Sequence, residues 1–196
     1  MRNSEFTKER IISVSSGLFN TQGFKATSIS DITKATGLTK GAIYRHFTDK
    51  EDLEESAFYF MAEKIKNEFV KVIKEKETAP QKLEAISDFF QTYVFDPVIA
   101  GGCPVINVGV ETDDTRPLLN DRVRMLLDTL QSSVVHIIEK GIAYGQIKED
   151  LEVDRFASLF ISSLEGGVLL SKIRKNPQDL LWAIDDLKQR IKTIAL

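Results

Sequence analysis

Two helix caps and a glycine within residues 27–50 constrain the fold of this chain more than any other feature of its sequence. Ser28 can cap a helix by accepting hydrogen bonds from backbone N–H groups of the first turn, and the carboxylate of Asp31 suits the positive end of the helix dipole. Gly37 favours the left-handed conformation that ends a helix, and Thr39 is a second cap candidate. The segment is therefore predicted to form two short helices joined by a glycine turn.

The apolar side chains of these two helices are spaced so that each helix buries one face. Ile29, Ile32 and Ala35 recur at three-residue spacing in the first helix. Ile43 and Phe47 lie four residues apart in the second, which places them on one side of it. The opposite side of the second helix is predicted to be open to a partner.

This open side carries lysines, an arginine and hydroxyl donors, the groups that hold proteins on the phosphate backbone of DNA. Gly41 and Ala42 have almost no side chain, which allows the helix to approach base edges closely. The layout is typical of a helix-turn-helix that reads DNA, and a solvated face of a small helical hairpin is the alternative. The predicted DNA-contacting residues are Thr27, Ser28, Thr39, Lys40, Gly41, Ala42, Tyr44, Arg45, His46 and Lys50.

The distribution of charge favours DNA binding. Residues 1–50 contain eight lysines and arginines against four acids, a net charge of +4, whereas the whole chain carries −3 and residues 51–196 therefore −7. A basic head on an acidic body is the electrostatic pattern of a protein that contacts nucleic acid with one end.

Over residues 18–53 the chain resembles the N-terminal domain of the tetracycline-repressor (TetR/AcrR) family of bacterial transcription factors. The resemblance rests on the run GFKATSISDITKATGLTKGAIYRHFTDKEDL and on the preceding LFNTQGF. It implies a three-helix, helix-turn-helix DNA-binding domain, predicted at residues 1–50, and a helical effector-binding and dimerisation domain at residues 51–196. The fold class is thus expected to be all-α, with about nine helices in total.

Helical periodicity continues through the rest of the chain, with little evidence of strands. A capping-box pattern at Thr48 and Glu51 predicts a long helix that runs to about residue 72 and joins head to body without a flexible linker. A short element is expected at residues 103–111. The other predicted helices cover residues 7–22, 81–95, 117–144, 154–175 and a last segment from Asn176 to about residue 195.

The helix predicted at residues 154–175 has two apolar faces and small residues that permit close helix approach. One face would pack within the chain and the other against a second copy; a fully buried helix in a monomer is the alternative. A two-fold dimer would place its recognition helices in successive major grooves about 34 Å apart, and so would require a near-palindromic operator. The predicted interface residues are Phe160, Ser163, Gly167, Leu181, Trp182 and Ile184.

The family resemblance also implies a small-molecule effector cavity around residues 85–140. Asn107 and Glu111 lie four residues apart in an apolar segment, where they could orient a polar group of a bound molecule or hydrogen-bond neighbouring helix ends. The apolar candidates can equally be core residues. The predicted effector contacts are Phe60, Met61, Tyr93, Cys103, Asn107 and Glu111.

Cys103 leaves a further alternative open. It lies before Pro104 at a predicted helix N-terminus, a position that favours a reactive thiolate. The chain could therefore be an activator, or a ligand- or protein-interaction module of the same fold, that senses oxidants or electrophiles through this thiol. A lone cysteine can also be a small buried hydrophobic residue.

No catalytic site is visible in the sequence. His46, His136 and Cys103 are widely separated, so neither a metal-ligand cluster nor a nucleophile and base pair is predicted. The first ten residues lack the apolar run of a signal peptide, and no uncharged run is long enough to span a bilayer. We expect a cytoplasmic homodimeric repressor without cofactor or metal, not bound to a membrane, that a small molecule releases from a double-stranded DNA operator.

Overall fold

The structure is a computed structural model that describes residues 2–114 and 116–196, with the backbone alone at residues 2 and 3. Nine α-helices make up the regular structure of these residues. The helices are α1 (Arg2–Gln22), α2 (Ile29–Thr36), α3 (Lys40–Ile43), α4 (Lys50–Lys74), α5 (Ala79–Phe95), α6 (Pro104–Thr112), α7 (Pro117–Ala143), α8 (Val153–Arg174) and α9 (Gln178–Ile194). Within those ranges the β contacts amount to an isolated antiparallel bridge between Ile147 and Ala195. The prediction of an all-α chain with about nine helices is confirmed.

The first helix begins earlier than the sequence predicts. α1 starts at Arg2 and not at residue 7, with Glu5 in its first turn. A carboxylate there interacts favourably with the positive end of the helix dipole, so the helix continues beyond the apolar stripe that led to the prediction.

The cap of α4 lies one residue later than the predicted capping box of Thr48 and Glu51. Asp49 Oδ1 accepts a hydrogen bond from the backbone N–H of Asp52 at 2.8 Å. The carboxylate of Asp52, and not that of Glu51, accepts from the backbone N–H of Thr48 at 2.9 Å. The prediction of Thr48 as the cap was therefore wrong, because Asp49 provides an equally good oxygen at the position where the helix starts.

One compact unit runs to Ile65 and takes in Val98–Val123. In it α1 packs against α2 and α6, and α2 packs against α3. Phe24 folds back on Phe19, as expected, with ring centroids 4.8 Å apart. Because Leu53 of α4 is fully buried, this unit continues beyond Lys50; the functional division at that residue stays a prediction.

The end of α1 is held by the turn that precedes α6. Asn20 is buried, and its Nδ2 donates to the carbonyls of Ala100 and Gly102, each at 2.8 Å. Gly101 has a φ of 97°, and a Cβ at this position would lie 2.6 Å from the backbone oxygen of Asn20. Only glycine permits both that backbone conformation and so close an approach.

The second compact unit consists of Lys66–Pro97 and Arg124–Leu196. In it α8 packs along α9, and α5 packs on both. Gly167 allows the close approach of α8 and α9, since a Cβ there would lie 2.9 Å from the Cα of Leu180. The buried face of α8 includes Phe160 and Leu164, both fully inaccessible.

Candidate nucleic-acid interface

The predicted capping of α2 is confirmed at both ends. Ser28 Oγ accepts from the N–H of Asp31, while its hydroxyl and its backbone N–H both donate to Asp31 Oδ2, at 2.6 and 2.9 Å. The hydroxyl bond above all, with the backbone bond, holds the pKa of Asp31 below its ordinary value. Gly37 ends the helix in the left-handed region, with a φ of 68°.

The buried stripe of α2 differs from the predicted one, of which Ile29 is only half-buried. Ile32 is buried as expected, but Ala35 is exposed and Thr36 is buried in its place. A helix of 3.6 residues per turn favours the four-residue step. The hydroxyl of Thr36 is satisfied inside the core because it donates to the carbonyl of Ile32 at 2.7 Å.

α3 is a short helix that ends at Ile43, and the segment from Thr39 to His46 around it carries most of the predicted contact residues. Thr39 caps it by accepting from the N–H of Ala42. Ile43 and Phe47 are buried, as predicted. The exposed residues on this segment are Thr39, Lys40, Gly41, Tyr44 and Arg45, and Ala42 and His46 are half-buried.

The cationic and aromatic groups of this surface are arranged together. Lys40 Nζ lies over the ring of Tyr44, 5.7 Å from its centroid, within the range of a cation–π contact. Both side chains are exposed. The pair therefore presents an ammonium group and a phenol hydroxyl side by side.

Thr27 and Lys50, two further predicted contact residues, are engaged with other parts of the protein as well. Thr27 is fully buried, and its hydroxyl donates to the carbonyl of Gly23 at 2.7 Å. Lys50 is half-buried; its Nζ donates to the carbonyl of Phe24 at 2.6 Å and lies 3.1 Å from Glu54 Oε1. Thr27 thus stabilises the entry to α2, and Lys50 has internal partners in addition to any DNA contact.

Arg10 is a supporting residue that sequence reasoning missed. Its guanidinium donates to the carbonyl of Thr36 at 2.8 Å, at the C-terminal end of α2. A cation at a helix C-terminus interacts favourably with the exposed carbonyls and the dipole. The contact spans 26 residues, so no local pattern in the sequence indicates it.

Asn107 and Glu111 of α6 hydrogen-bond the end of α1 and the turn after it. Asn107 Nδ2 lies 3.0 Å from Asn20 Oδ1 and 2.9 Å from the carbonyl of Gly101. The carboxylate of Glu111 accepts from the backbone N–H groups of Phe24 and Lys25. Of the two roles open for these side chains, contact with a neighbouring helix end is the one observed.

The other predicted effector contacts lie in both compact units. Phe60, Met61 and Cys103 belong to the first and Tyr93 to the second. Met61 and Cys103 are buried. Tyr93 is buried in an aromatic cluster, with its ring centroid 5.7 Å from that of Phe89. Their role as ligand contacts stays a prediction.

The second unit contains an open groove of about 520 Å³ along α7. Its lining includes Asp128, Ser132 and His136, and none of the predicted effector residues. Among the residues that the structure describes, this groove included, no group of three or more His, Cys, Asp or Glu side chains is placed to hold a metal ion.

Three of the six predicted dimer residues face the interior of their own chain. Phe160, Gly167 and Ile184 are buried, because α8 and α9 pack on each other and on α5. Ser163 and Leu181 are half-buried. Trp182 is 64% exposed.

Family models match both parts of the chain. Residues 11–57 match the model described as bacterial regulatory proteins, tetR family. Residues 79–187, more than half of the chain, match the model of the tetracyclin repressor-like C-terminal domain.

Relatives with solved structures and curated names agree with these matches. A TetR transcriptional regulator from Chloroflexus aurantiacus is 37% identical, with a TM-score of 0.96 over 100% of this chain and 98% of that one. The HTH-type transcriptional repressor DhaR of a Mycobacterium strain is 21% identical over 88% of this chain and 86% of its own length. A cysteine mutant of the TetR family regulator CifR, solved with a 26-bp operator duplex, shares the fold at 17% identity, with a TM-score of 0.80 over 92% of this chain and 94% of that one. The chain belongs to the TetR/AcrR family of transcriptional regulators.

Proposed function

We propose that the protein is a homodimeric repressor that binds a near-palindromic DNA operator and is released from it by a small-molecule effector. The observation that carries the proposal is the exposed surface of α3 and the turn after it, where Lys40, Gly41, Tyr44 and Arg45 are exposed and the opposite side is buried. We call this set the reading face. Among the relatives, DhaR is named a transcriptional repressor.

The residues of the reading face have two different tasks in this proposal. Lys40, Tyr44 and Arg45 carry donors for phosphate oxygens, which set the position of the protein on the duplex. Gly41 leaves the helix backbone uncovered: a Cβ there would meet no other atom within 4 Å. The backbone of α3 can therefore come close to base edges, where sequence is read.

The capped ends of α2 support this function because recognition requires a rigid reader. The hydrogen bonds of Ser28 and the left-handed Gly37 satisfy backbone groups at both ends of the helix. Arg10 holds its C-terminal carbonyl from α1. These contacts fix both ends of α2, the helix on which α3 packs.

A stripe of exposed apolar and small residues on α8 supports the homodimer. It lies opposite the buried face of the helix and consists of the exposed Leu159, Ser162, Leu169, Leu170 and Ile173 with the half-buried Gly166. The spacing of three and four residues makes it a continuous ridge along the helix. We place the dimer contact on this stripe and on Trp182, in place of the buried Phe160, Gly167 and Ile184.

The same stripe accounts for the apolar composition of α8. This helix has the length and hydropathy of a membrane-crossing segment. One of its sides is buried against α9 and α5, as in the core of a globular protein. A second subunit on the other side would bury the remaining apolar surface.

Release by an effector requires that a ligand bind the form of the dimer whose heads are spaced wrongly for DNA. α4 runs from Lys50 to Lys74 without a break, and we propose that tilting of this helix changes the spacing of the heads. The buried Cys103 has no part in the proposal.

The proposal is tested by selecting bound fragments from a genomic DNA pool and measuring affinity for the selected operator. Lys40→Ala and Tyr44→Ala are each expected to weaken binding, with the dimer and its melting temperature unchanged. Lys40→Ala should also reduce the slope of log affinity against log salt by about 1.8, because the dimer loses two phosphate contacts, one per subunit, each worth about 0.9.

Matched controls are available on exposed positions far along the chain. Lys192→Ala removes one lysine, and Tyr144→Ala removes one tyrosine that is 72% exposed. Both controls should bind the operator like wild type. If the α3 variants bind as tightly as these controls, the reading face is assigned to the wrong residues; if wild type selects no DNA, the proposed function fails.

A further inference from the structure

The turn between α1 and α2 is bound by a carboxylate from a distant helix. Glu111 Oε2 accepts from the backbone N–H of Phe24 at 2.9 Å, and Oε1 accepts from that of Lys25 at 2.7 Å. Two adjacent amides thus share the two oxygens of one charged group, which makes these hydrogen bonds stronger than neutral ones. The partners are 87 and 86 residues apart.

The backbone of the turn is shaped to receive this carboxylate. Gly23 has a φ of 93°, a conformation that residues with a side chain rarely adopt. A Cβ at Gly23 would lie 3.1 and 3.2 Å from the two oxygens of Glu111. Glycine at this position therefore allows both the turn and the approach of the carboxylate.

The backbone carbonyl of Phe24, in the same turn, is bound by a lysine of α4. Lys50 Nζ donates to the carbonyl of Phe24 at 2.6 Å and is 3.1 Å from the buried carboxylate of Glu54. Glu54 is in turn paired with Arg116. Both backbone groups of Phe24 are thus occupied, one by Glu111 and one by Lys50. We call Glu111 and Lys50, with the backbone of Phe24 and Lys25 that they hold, the turn clamp.

The turn clamp lies immediately before the DNA-reading helices. Phe24 is anchored on Phe19 of α1 by stacking, and α2 begins at Ile29, shortly after Lys25. The direction in which the chain leaves this turn sets the orientation of α2, and α3 is packed on α2. A change in the turn would therefore be transmitted to the reading face.

We propose that Glu111 is a positioning residue for operator recognition: it touches no DNA and acts by fixing the turn from which the helix-turn-helix starts. The inference rests on the proposed function, since it assumes that the reading face binds an operator. It assigns to Glu111 a role in DNA recognition and not the effector contact expected from its sequence position.

The proposal predicts an effect opposite in sign to simple electrostatics. Replacing Glu111 by glutamine removes a negative charge, which by itself would strengthen attraction to the DNA polyanion. If Glu111 positions the helix-turn-helix, Glu111→Gln instead weakens specific binding, because a neutral amide oxygen accepts less strongly and only one oxygen remains. Non-specific binding, which depends on charge more than on geometry, should stay unchanged or increase.

The experiment compares Glu111→Gln and Glu111→Asp with wild type on the duplex that wild type selects from a random pool. A random-sequence duplex of equal length measures non-specific binding. Glu111→Asp keeps the charge but is one methylene shorter, so its carboxylate cannot reach both amides. We expect both variants to lose specific affinity by roughly tenfold, as for loss of a charge-assisted hydrogen bond. The control is Glu139→Gln on the exposed side of α7, with the same charge change and wild-type binding expected.

A second measurement reports on the turn clamp without DNA. Amide exchange at Phe24 and Lys25, followed by NMR in the whole protein, should be faster in both Glu111 variants than in wild type and unchanged in Glu139→Gln. Affinity is expressed per folded dimer, so that a loss of stability alone does not count as a loss of recognition.

The outcomes separate the inference from the proposed function. Faster exchange together with weaker specific binding supports the positioning role. Unchanged exchange, or wild-type specific affinity in both variants, overturns it. If wild type selects no duplex at all, the proposed function fails, whatever the exchange measurement shows about the turn.

Discussion

Substitution of Gly41 by alanine should make the protein more stable and a weaker DNA binder. Gly41 lies in α3, where a Cβ would meet nothing within 4 Å. Alanine loses less backbone entropy on folding than glycine, so the substitution should stabilise the fold by about 0.5–1 kcal/mol. For a chain of this size, each kcal/mol corresponds to a rise of about 2–4 °C in melting temperature.

The same methyl group is unfavourable when α3 meets DNA. It would project from the exposed side of the helix, where the backbone is proposed to approach base edges. Displacing the helix by the width of a methyl group would break at least one base contact, each worth about 1–3 kcal/mol. This is a loss of about 5- to 150-fold in operator affinity.

The assay pairs thermal unfolding at fixed protein concentration with operator binding at fixed salt. Gly17→Ala is the matched control: it is also a helical glycine of the first unit, and its Cβ would make an ordinary contact at 4.0 Å with Ala100. It should gain similar stability with unchanged affinity. Wild-type affinity and sequence preference in Gly41→Ala would refute the close approach of α3 to DNA. A fall in melting temperature would show that a methyl group does not fit at this position.

Three further substitutions test other parts of the structure. Ser28→Ala should raise the pKa of Asp31 towards its ordinary 3.8 in an NMR titration, since the hydroxyl is the largest cause of its lowering. The lowered pKa stabilises the fold above about pH 4, and this stabilisation is lost as the pH falls further. The stability of the variant should therefore depend less on pH below about pH 4. Gly101→Ala should destabilise the fold by about 1–3 kcal/mol in urea unfolding, because its Cβ would lie 2.6 Å from a backbone oxygen of α1. Trp182→Glu should dissociate the dimer in sedimentation velocity, whereas Tyr144→Glu, also on an exposed aromatic, should not; a dimer that survives Trp182→Glu would move the interface elsewhere.

The helix-turn-helix could be predicted from the sequence because its determinants are local. Ser28 caps α2 as expected, and Asp31, three residues further on, completes a capping box with it. Gly37 occupies the left-handed region as predicted. Such contacts depend on backbone groups within one turn of the helix, so residue type and spacing determine them.

Helix faces were less predictable where two residues compete for the same position. Ala35 and Thr36 could each continue the stripe of Ile32, and the three-residue spacing from Ile29 to Ile32 favoured Ala35. The structure buries Thr36, because its hydroxyl finds a partner in the helix itself. A polar residue that satisfies its own hydrogen bond can thus be buried at little cost.

The dimer residues show a limit of a different kind. Two apolar faces on α8 were evident from the sequence, but not which of them meets α9. Gly167 and Phe160 proved to be on the inner face, where Gly167 is close to Leu180. Small residues permit close packing with any helix, so they do not by themselves distinguish a neighbour in the chain from a second subunit.

Asn107 and Glu111 illustrate why polar residues on an apolar helix are weak evidence for a ligand. Their four-residue spacing correctly indicated a shared face. The partners, however, are backbone groups at the end of α1 and in the turn after it, and such groups need hydrogen bonds once they are removed from water. A polar side chain facing a helix end therefore has a reason to be there that involves no ligand, and an effector role for Glu111 would require it to leave the amides of Phe24 and Lys25. Any molecule that drew Glu111 away would loosen the turn before α2, so effector contact and DNA binding would be competing uses of one carboxylate.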